Sequence, residues 1–230
     1  VALLQTALRF AEITGGAFDP TVQPLWQLFA DHFAAGRPDG DGPSPRLVAE
    51  ALAKVGHAGL LVGENRIALL RRGAAITLNG IAQGFATDRV VERLRQAGLS
   101  TTLVNMGEIR AIGARPEGTP WRVGLEDPGR PGVLSETVDL ADRAVATSAG
   151  AGFRFDAKGR FTHLFDPATG RSPQRYKSVS VLAPTATEAD ALSTAFSLMP
   201  LPAIADIVKA SPNLQARITD FTGTLIVYGA

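Results

Sequence analysis

Thr101-Thr102-Leu103-Val104-Asn105, Ile109-Arg110-Ala111-Ile112-Gly113, Trp121-Arg122-Val123-Gly124-Leu125-Glu126, Glu136-Thr137-Val138-Asp139-Leu140 and Ala144-Val145-Ala146-Thr147 follow one another with no helical stretch between them. Their β-branched and aromatic residues predict five successive strands. Helices cluster to either side of this block. On its N-terminal side, Asn79-Gly80-Ile81-Ala82-Gln83-Gly84 opens an amphipathic helix with Phe85, Val90, Val91, Leu94 and Ala97 on its buried side and Gly98 as its cap. Short β-like runs precede it at Leu60–Val62, Arg66–Leu70 and Ala75–Leu78.

Further upstream, Ser44-Pro45 reads as an N-cap followed by proline at the first helical position. That helix presents Leu47, Val48, Ala51, Leu52 and Val55 and is stopped by Gly56. Residues 36–43 are predicted to be an exposed loop. The chain opens on a helix over Val1–Ile13 that ends at Gly15-Gly16, followed by a turn through Ala17-Phe18-Asp19-Pro20-Thr21. On the C-terminal side, Ser178–Ala183 alternates Val179 and Val181 with serines as a strand. Helices then run from Pro184 to about Met199 and over Pro202–Ala210, and a hairpin closes the chain at Leu214–Thr219 and Thr224–Tyr228. Strands and helices are grouped, with no regular βαβ alternation. The fold class is α+β.

Composition removes whole classes of chemistry. The 230 residues carry 23 basic and 22 acidic side chains, so no broad positive field is offered to nucleic acid. No window of 18 uninterrupted apolar residues provides a transmembrane segment. Cysteine is absent, which excludes disulfides, thiolate catalysis, zinc-thiolate sites and iron–sulfur clusters. Three histidines, His32, His57 and His163, are too few for a multi-histidine metal site. A metal in this chain is therefore expected to be hard and oxygen-bound. Val1 is not an initiator methionine, so the lack of a visible signal peptide assigns no compartment.

Three polar segments could carry chemistry. At Asn79–Gly84, a glycine-rich helix start offers unpaired N–H groups to a phosphate or diphosphate. The same residues also read as Asn79 capping an ordinary helix, with glycines for tight packing. His163 lies three residues from Asp166 in Phe161-Thr162-His163-Leu164-Phe165-Asp166-Pro167-Ala168-Thr169-Gly170. A histidine there suits general-base work, while Asp-Pro-x-Thr-Gly alone reads as an Asx turn after a strand. In Glu188–Ala195, Asp190, Ser193 and Thr194 fall at i, i+3 and i+4 on one helical face, with Ala189, Leu192, Phe196 and Met199 turned to the core. One carboxylate with hydroxyls suits Mg²⁺, which fills its shell with water and substrate phosphates. Against this, Thr187-x-x-Asp190 or Thr185-x-x-Glu188 is a capping box. Taken together, the three segments point to a phosphorylated ligand.

The order of motifs resembles the ApbE-type FAD:protein FMN transferases over about Glu12 to Ala230. The residues that carry the resemblance are Gly-Gly-x-Phe-Asp-Pro-Thr-Val at 15–22, Gly-Ile-Ala-x-Gly-Phe-Ala-x-Asp at 80–88 and Leu-Val-Asn-Met-Gly at 103–107. Ala-Thr-Ser-Ala-Gly at 146–150, Thr-His-Leu-Phe-Asp-Pro-x-Thr-Gly at 162–170 and Glu-Ala-Asp-Ala-x-x-Thr-Ala at 188–195 complete it. The resemblance implies a T-fold-like α+β domain of antiparallel sheet and packed helices over residues 1–230, with the family's N-terminal strands missing. It also implies Mg²⁺-dependent transfer of FMN from FAD to a Thr or Ser hydroxyl of a target flavoprotein, with release of AMP. Asp190 and Thr194, with Ser193 and the Gly80 carbonyl, would hold the metal. Ala17, Phe18, Asp19, Thr77, Gln83 and Phe165 would line the FAD site, and His163, oriented by a neighbouring acid, and Asp166 would lie near the reacting phosphate.

Two departures from the family pattern affect the flavin pocket. Thr77-Leu78-Asn79 replaces Asp-Leu-Gly or Asp-Leu-Ser, and Gln83 replaces a Lys or Glu. The Leu-Asn-Gly-Ile-Ala-Gln-Gly stretch is similar to a subgroup associated with nitrous-oxide reductase maturation, whose target would be a membrane flavoprotein. By resemblance the protein is expected to be periplasmic or otherwise exported. Two alternatives use the same residues: a non-catalytic FAD-binding maturation factor, and an FAD diphosphatase giving FMN and AMP.

Overall fold

Capping and core patterning build the first of two compact units, residues 1–78 with 150–175, in a computed structural model that describes residues 1–35 and 40–230. Helix α1 (Ala2–Ile13) ends where Gly15 and Gly16 take φ of +59° and +86°, a conformation glycine adopts at little cost. Helix α2 (Gln23–Ala34) has Pro24 in its first turn, and α3 (Pro45–Leu52) is capped as predicted, Ser44 Oγ accepting from the Leu47 amide at 3.4 Å. Leu25, Phe29 and Phe33 of α2 form a core with Ala51, Val55 and Phe165. Residues 36–39 of the predicted loop lie outside the described residues; beyond them Asp41 is exposed, but Pro43 is buried.

Strands β1 (Leu60–Val62) and β2 (Ile67–Leu69) pair antiparallel as a short hairpin. The strand expected at 75–78 does not form. Its Thr77 amide donates to the Pro20 carbonyl at 2.8 Å, and among the described residues no neighbouring strand gives the segment a ladder.

The second unit comprises residues 79–149 and 176–230. It contains α4 (Ala82–Gln96), β3 (Thr102–Asn105), β4 (Ile109–Ile112), β5 (Trp121–Glu126), β6 (Leu134–Leu140), β7 (Ala144–Ser148) and β8 (Ser178–Ala183). Then come α5 (Ala186–Phe196), α6 (Leu201–Ala210), β9 (Gln215–Thr219) and β10 (Leu225–Tyr228). Six strands form one sheet in the order β10-β9-β8-β7-β4-β3, every neighbouring pair antiparallel, and β5 with β6 makes a separate hairpin. The α+β class read from grouped strands and helices is the observed one.

Ser178–Ala183 forms the expected strand, and the burial of α4 differs in part from expectation. Strand β8 alternates Val and Ser, yet all six of its residues are buried. Helix α5 packs against β7 and β8, while Val123, Leu125, Val138 and Leu140 of the β5–β6 hairpin cluster with Ala111, Val145 and Leu182, so both faces of the strand are covered. The buried face of α4 consists of Gly84, Thr87, Asp88 and Val91. Phe85, Val90 and Leu94 are only half-buried, and Ala97 is exposed. Val91 packs with Val104 and Ile112 of β3 and β4, with Val90 and Leu94 against them as expected. The polar part of the face, Thr87 and Asp88, lies towards α5, where Asp88 accepts from Ala186 and Thr187. Among the described residues no helix is long and apolar enough to cross a membrane.

Candidate functional site

The residues expected to hold a metal lie in the second unit, and α5 holds most of them. Thr185 Oγ1 accepts from the Glu188 amide at 3.2 Å, so the capping reading of Thr185-x-x-Glu188 is correct for the helix start. Thr187 does not cap Asp190; its hydroxyl donates to Asp88. Asp190 is only 5% exposed and Ser193 1%, so these two members of the polar face of α5 are as buried as its apolar face. Asp190 Oδ2 accepts from the Gly84 amide at 2.9 Å. The cap position of α4 falls two residues beyond the Asn79 expected there. The cap position is Ile81, which provides no side-chain acceptor, and the acceptor for the first turn comes from α5.

The hydroxyls are unequally available. Ser193 Oγ donates to the Asp190 carbonyl at 3.0 Å and pairs with Ser148 Oγ at 2.8 Å. Ser148 Oγ also approaches Thr194 Oγ1 at 3.4 Å. Ser193 is therefore occupied in holding α5 to the end of β7, and half-buried Thr194 is the freer donor for a cation. Gly80 lies in the turn just before α4.

Electrostatics single out the same place. Burial pushes the Asp190 carboxyl up to about 6, against the lowering effect of the Gly84 hydrogen bond. Glu108, which follows the β3 strand, is pushed up to about 8, first by burial and then by the charge of Asp190. No Lys, Arg or His among the described residues forms an ion pair with either acid, and Asp190 Oδ1 accepts no hydrogen bond there. A buried carboxylate with an unused oxygen and no cationic partner is what a hard cation would compensate. Among the described residues no cluster of three or more His, Cys, Asp or Glu is placed to hold an ion. Of the residues expected to hold a metal, Asp190 and Thr194 thus keep oxygens that a hard cation with a water- and phosphate-filled shell could use.

Sequence reasoning did not single out Glu108, Ser148, Asp88 or Arg110. Asp88 and Ser148 lay inside quoted motifs, and Glu108 directly follows one, but their partners are far away in the chain.

Gln83 also belongs to this unit. Its side chain is exposed, and Nε2 donates to the Met106 carbonyl at 2.8 Å. Gly107 beside it has φ +101°, and a Cβ there would lie 1.6 Å from Gln83 Nε2. Glycine is the residue that lets Gln83 lie over the β3–β4 turn.

The histidine turn lies in the first unit. His163 is half-buried, with Nδ1 3.2 Å from the Phe153 carbonyl oxygen and its ring edge-on to Phe153. The acid expected to orient His163 is replaced by this backbone carbonyl. Because a carbonyl can only accept, Nδ1 carries the proton in the neutral ring, and Nε2 is left as a base. Burial lowers the His163 pKa, opposed by the hydrogen bond to Phe153, so the base form is present at neutral pH.

Asp166 is held within its own turn. Its Oδ1 accepts from the Ala168 amide and its Oδ2 from the Thr169 hydroxyl, both at 2.9 Å. This is the Asx turn predicted from Asp-Pro-x-Thr-Gly. It does not follow a strand; Thr162 makes a single isolated bridge to Arg154.

The remaining predicted flavin contacts in this unit are largely enclosed. Phe165 is 3% exposed, its ring centroid 4.8 Å from that of Phe29. Phe18 is also buried, and Ala17 and Thr77 are half-buried. Asp19 Oδ1 accepts from the amide and hydroxyl of Thr21 at 2.7 and 2.6 Å, and Oδ2 from the His57 amide at 2.8 Å. Its carboxylate thus ties the turn after α1 to the segment that leads into β1.

A model of the ApbE family matches residues 1–218. The chain is 35% identical to the FAD:protein FMN transferase of Haemophilus influenzae over 201 residues, covering 84% of this chain and 58% of that protein. The same-named protein of Treponema pallidum is 32% identical over 237 residues, covering 94% of this chain and 64% of that one. The chain thus spans about three-fifths of the length of these relatives. Among solved structures, an ApbE protein from Thermotoga maritima superimposes with a TM-score of 0.86 at 33% identity, over 99% of this chain and 74% of that one. The flavin transferase ApbE from Vibrio cholerae gives 0.81 at 28% identity, with the same two coverages.

Proposed function

We propose, from the premise that this chain belongs to the ApbE family, that it transfers FMN from FAD to a Thr or Ser hydroxyl of a target flavoprotein in a Mg²⁺-dependent reaction. The observation that carries the proposal is Asp190: buried, with one oxygen fixed on Gly84 and, among the described residues, no cationic partner and no hydrogen bond to the other oxygen. That arrangement supports a role as the carboxylate ligand of Mg²⁺, alongside Thr194 and the Gly80 carbonyl. When bound, the metal would neutralise the negative charge of the FAD diphosphate.

The chain's own residues would supply the rest. The acceptor hydroxyl oxygen bonds to the FMN phosphorus as the bond to the AMP oxygen breaks. His163 Nε2 takes the hydroxyl proton, and the Phe153 carbonyl keeps Nδ1–H oriented. Asp166 holds the turn that carries His163 and is assigned no proton transfer. Ala17, Phe18, Asp19, Thr77, Gln83 and Phe165 are proposed to shape the FAD site, with Asp19 and Phe165 acting through the packing described above. Export to the periplasm, where the target would be met, belongs to the same reading.

The test is to incubate the full-length protein with FAD, Mg²⁺ and an acceptor peptide, then to follow covalent FMN by mass and AMP by chromatography. An adduct with AMP supports transfer. AMP with free FMN would replace the proposal with a diphosphatase, and intact bound FAD would replace it with a non-catalytic maturation factor.

A further inference from the structure

We propose that Asp88 is a positioning residue for Asp190, acting through a reciprocal clip between α4 and α5; this rests on the reading of Asp190 as a metal ligand. Asp88 Oδ1 accepts from the Ala186 amide at 2.9 Å and from the Arg110 guanidinium. Its Oδ2 accepts from the Thr187 amide at 2.9 Å and from the Thr187 hydroxyl. Asp190 returns the contact by accepting from the Gly84 amide at 2.9 Å. Each helix thus supplies the acid that caps the other's first turn, where unpaired amides and the helix dipole favour negative charge. Between these contacts the helices are almost touching: a Cβ on Gly84 would lie 2.3 Å from the Ala186 oxygen and 2.8 Å from Asp190 Cβ.

The two acids are treated differently. The side chains of Asp88 and Arg110 are 9% and 10% exposed, so the pair is a buried one in which the charge of Asp88 is met within the protein. Both oxygens of Asp88 are filled. Asp190 spends one oxygen on Gly84 and has no cationic partner among the described residues. The amides held by Asp88 belong to Ala186 and Thr187, one turn before Asp190 on α5. They set where that turn begins against α4, and so where the unused oxygen of Asp190 lies. Outer groups that orient a metal ligand in this way hold it in the geometry that binds the metal, and their loss typically weakens metal affinity.

The experiment uses the full-length protein with Mn²⁺ as the probe, binding being read by electron paramagnetic resonance and Mg²⁺ dependence by FAD turnover. Asp88→Asn keeps the volume but turns one acceptor into a donor that faces other donors. It is expected to weaken Mn²⁺ binding roughly 10- to 100-fold. The Mg²⁺ concentration for half-maximal turnover should rise by the same factor, with kcat at saturating Mg²⁺ held within about threefold. Thr187→Val removes one of the bonds to Asp88 and should weaken Mn²⁺ binding about two- to fivefold; it serves as the deciding variant if the Asn protein does not fold. Unchanged Mn²⁺ affinity in the folded variant, or a fall in kcat without a change in metal dependence, overturns the proposal. Asp190→Ala is the control on its premise. Retained Mn²⁺ binding there would remove the metal site and this inference with it. Lost binding there, with normal binding in Asp88→Asn, would remove the positioning role alone.

Discussion

The α4–α5 pair of the second unit and the 161–170 turn of the first both hold candidate functional residues, and they hold them by opposite means. In the turn, Asp166 bonds to Ala168 and Thr169, two and three residues away. In the helix pair, Asp190 bonds to Gly84 and Asp88 to Ala186 and Thr187, all about a hundred residues away in the chain. The turn is built from local side-chain-to-backbone bonds and leaves His163 oriented by a carbonyl. The helix pair is built from tertiary capping and leaves a carboxylate short of a cation. One region is arranged to present a neutral base, and the other a charge that needs compensation.

The strongest way to break this contrast is Asp190→Ala, which is expected to reduce Mg²⁺-dependent FAD turnover by more than about a thousandfold. Turnover that persists with its Mg²⁺ dependence intact would place the metal elsewhere. Next comes His163→Ala, expected to cost about a hundredfold in kcat/KM. The lowered His163 pKa places the rising limb of the parent's pH–rate profile below 6.5, with a plateau above it. The variant should lose that limb, and a profile identical to the parent's would exclude His163 as the base.

The third prediction concerns the metal-free protein. The folded pKa values of Asp190 and Glu108 are raised to about 6 and about 8 from 3.8 and 4.5. Stability from these groups is therefore present below the ordinary carboxyl range and lost as pH rises through 6 and then 8. The Tm without divalent metal should fall by several degrees, about 5 °C, between pH 5 and pH 8, and Mg²⁺ should restore most of it. A Tm that is flat in pH, or indifferent to Mg²⁺, would show the two acids to be compensated already.

Smaller effects sharpen the contrast. Gly84→Ala drives a methyl group into the Ala186 carbonyl and should destabilise the protein by about 1–3 kcal/mol in urea unfolding. This should outweigh the gain in helix propensity, about 1 kcal/mol. Thr169→Val removes one exposed bond to Asp166 and should cost only about 0.5–1 kcal/mol. If the turn variant cost more than the helix variant, the ranking of tertiary over local capping would be reversed.

Legibility followed the range of the interactions. Ser44-Pro45, Gly15-Gly16 and Asp-Pro-x-Thr-Gly were read correctly because their partners lie within a few residues. The cap of α4 was read two residues early, at Asn79 instead of Ile81, and the Asp190 carboxylate that accepts from the Gly84 amide could not be read from local sequence. Val179 and Val181 gave the strand, but their alternation with serine did not show that α5 and the β5–β6 hairpin would bury both faces. The spacing of Asp190, Ser193 and Thr194 was readable, and the pairing of Ser193 with Ser148 was not.

The amino-acid sequence by itself determined the order of elements, the α+β class, the Asx turn beneath His163 and the donor inventory, which without cysteine leaves oxygen ligands for a metal. Each of these depends on residue identity or on neighbours a few positions apart. Tertiary structure alone decided that Asp88 and Asp190 clip two helices together, that Glu108 comes close enough to repel Asp190, and that Asp190 is buried with no Lys, Arg or His paired to it among the described residues. Burial and charge act through space, and the groups concerned become neighbours only after the chain has folded.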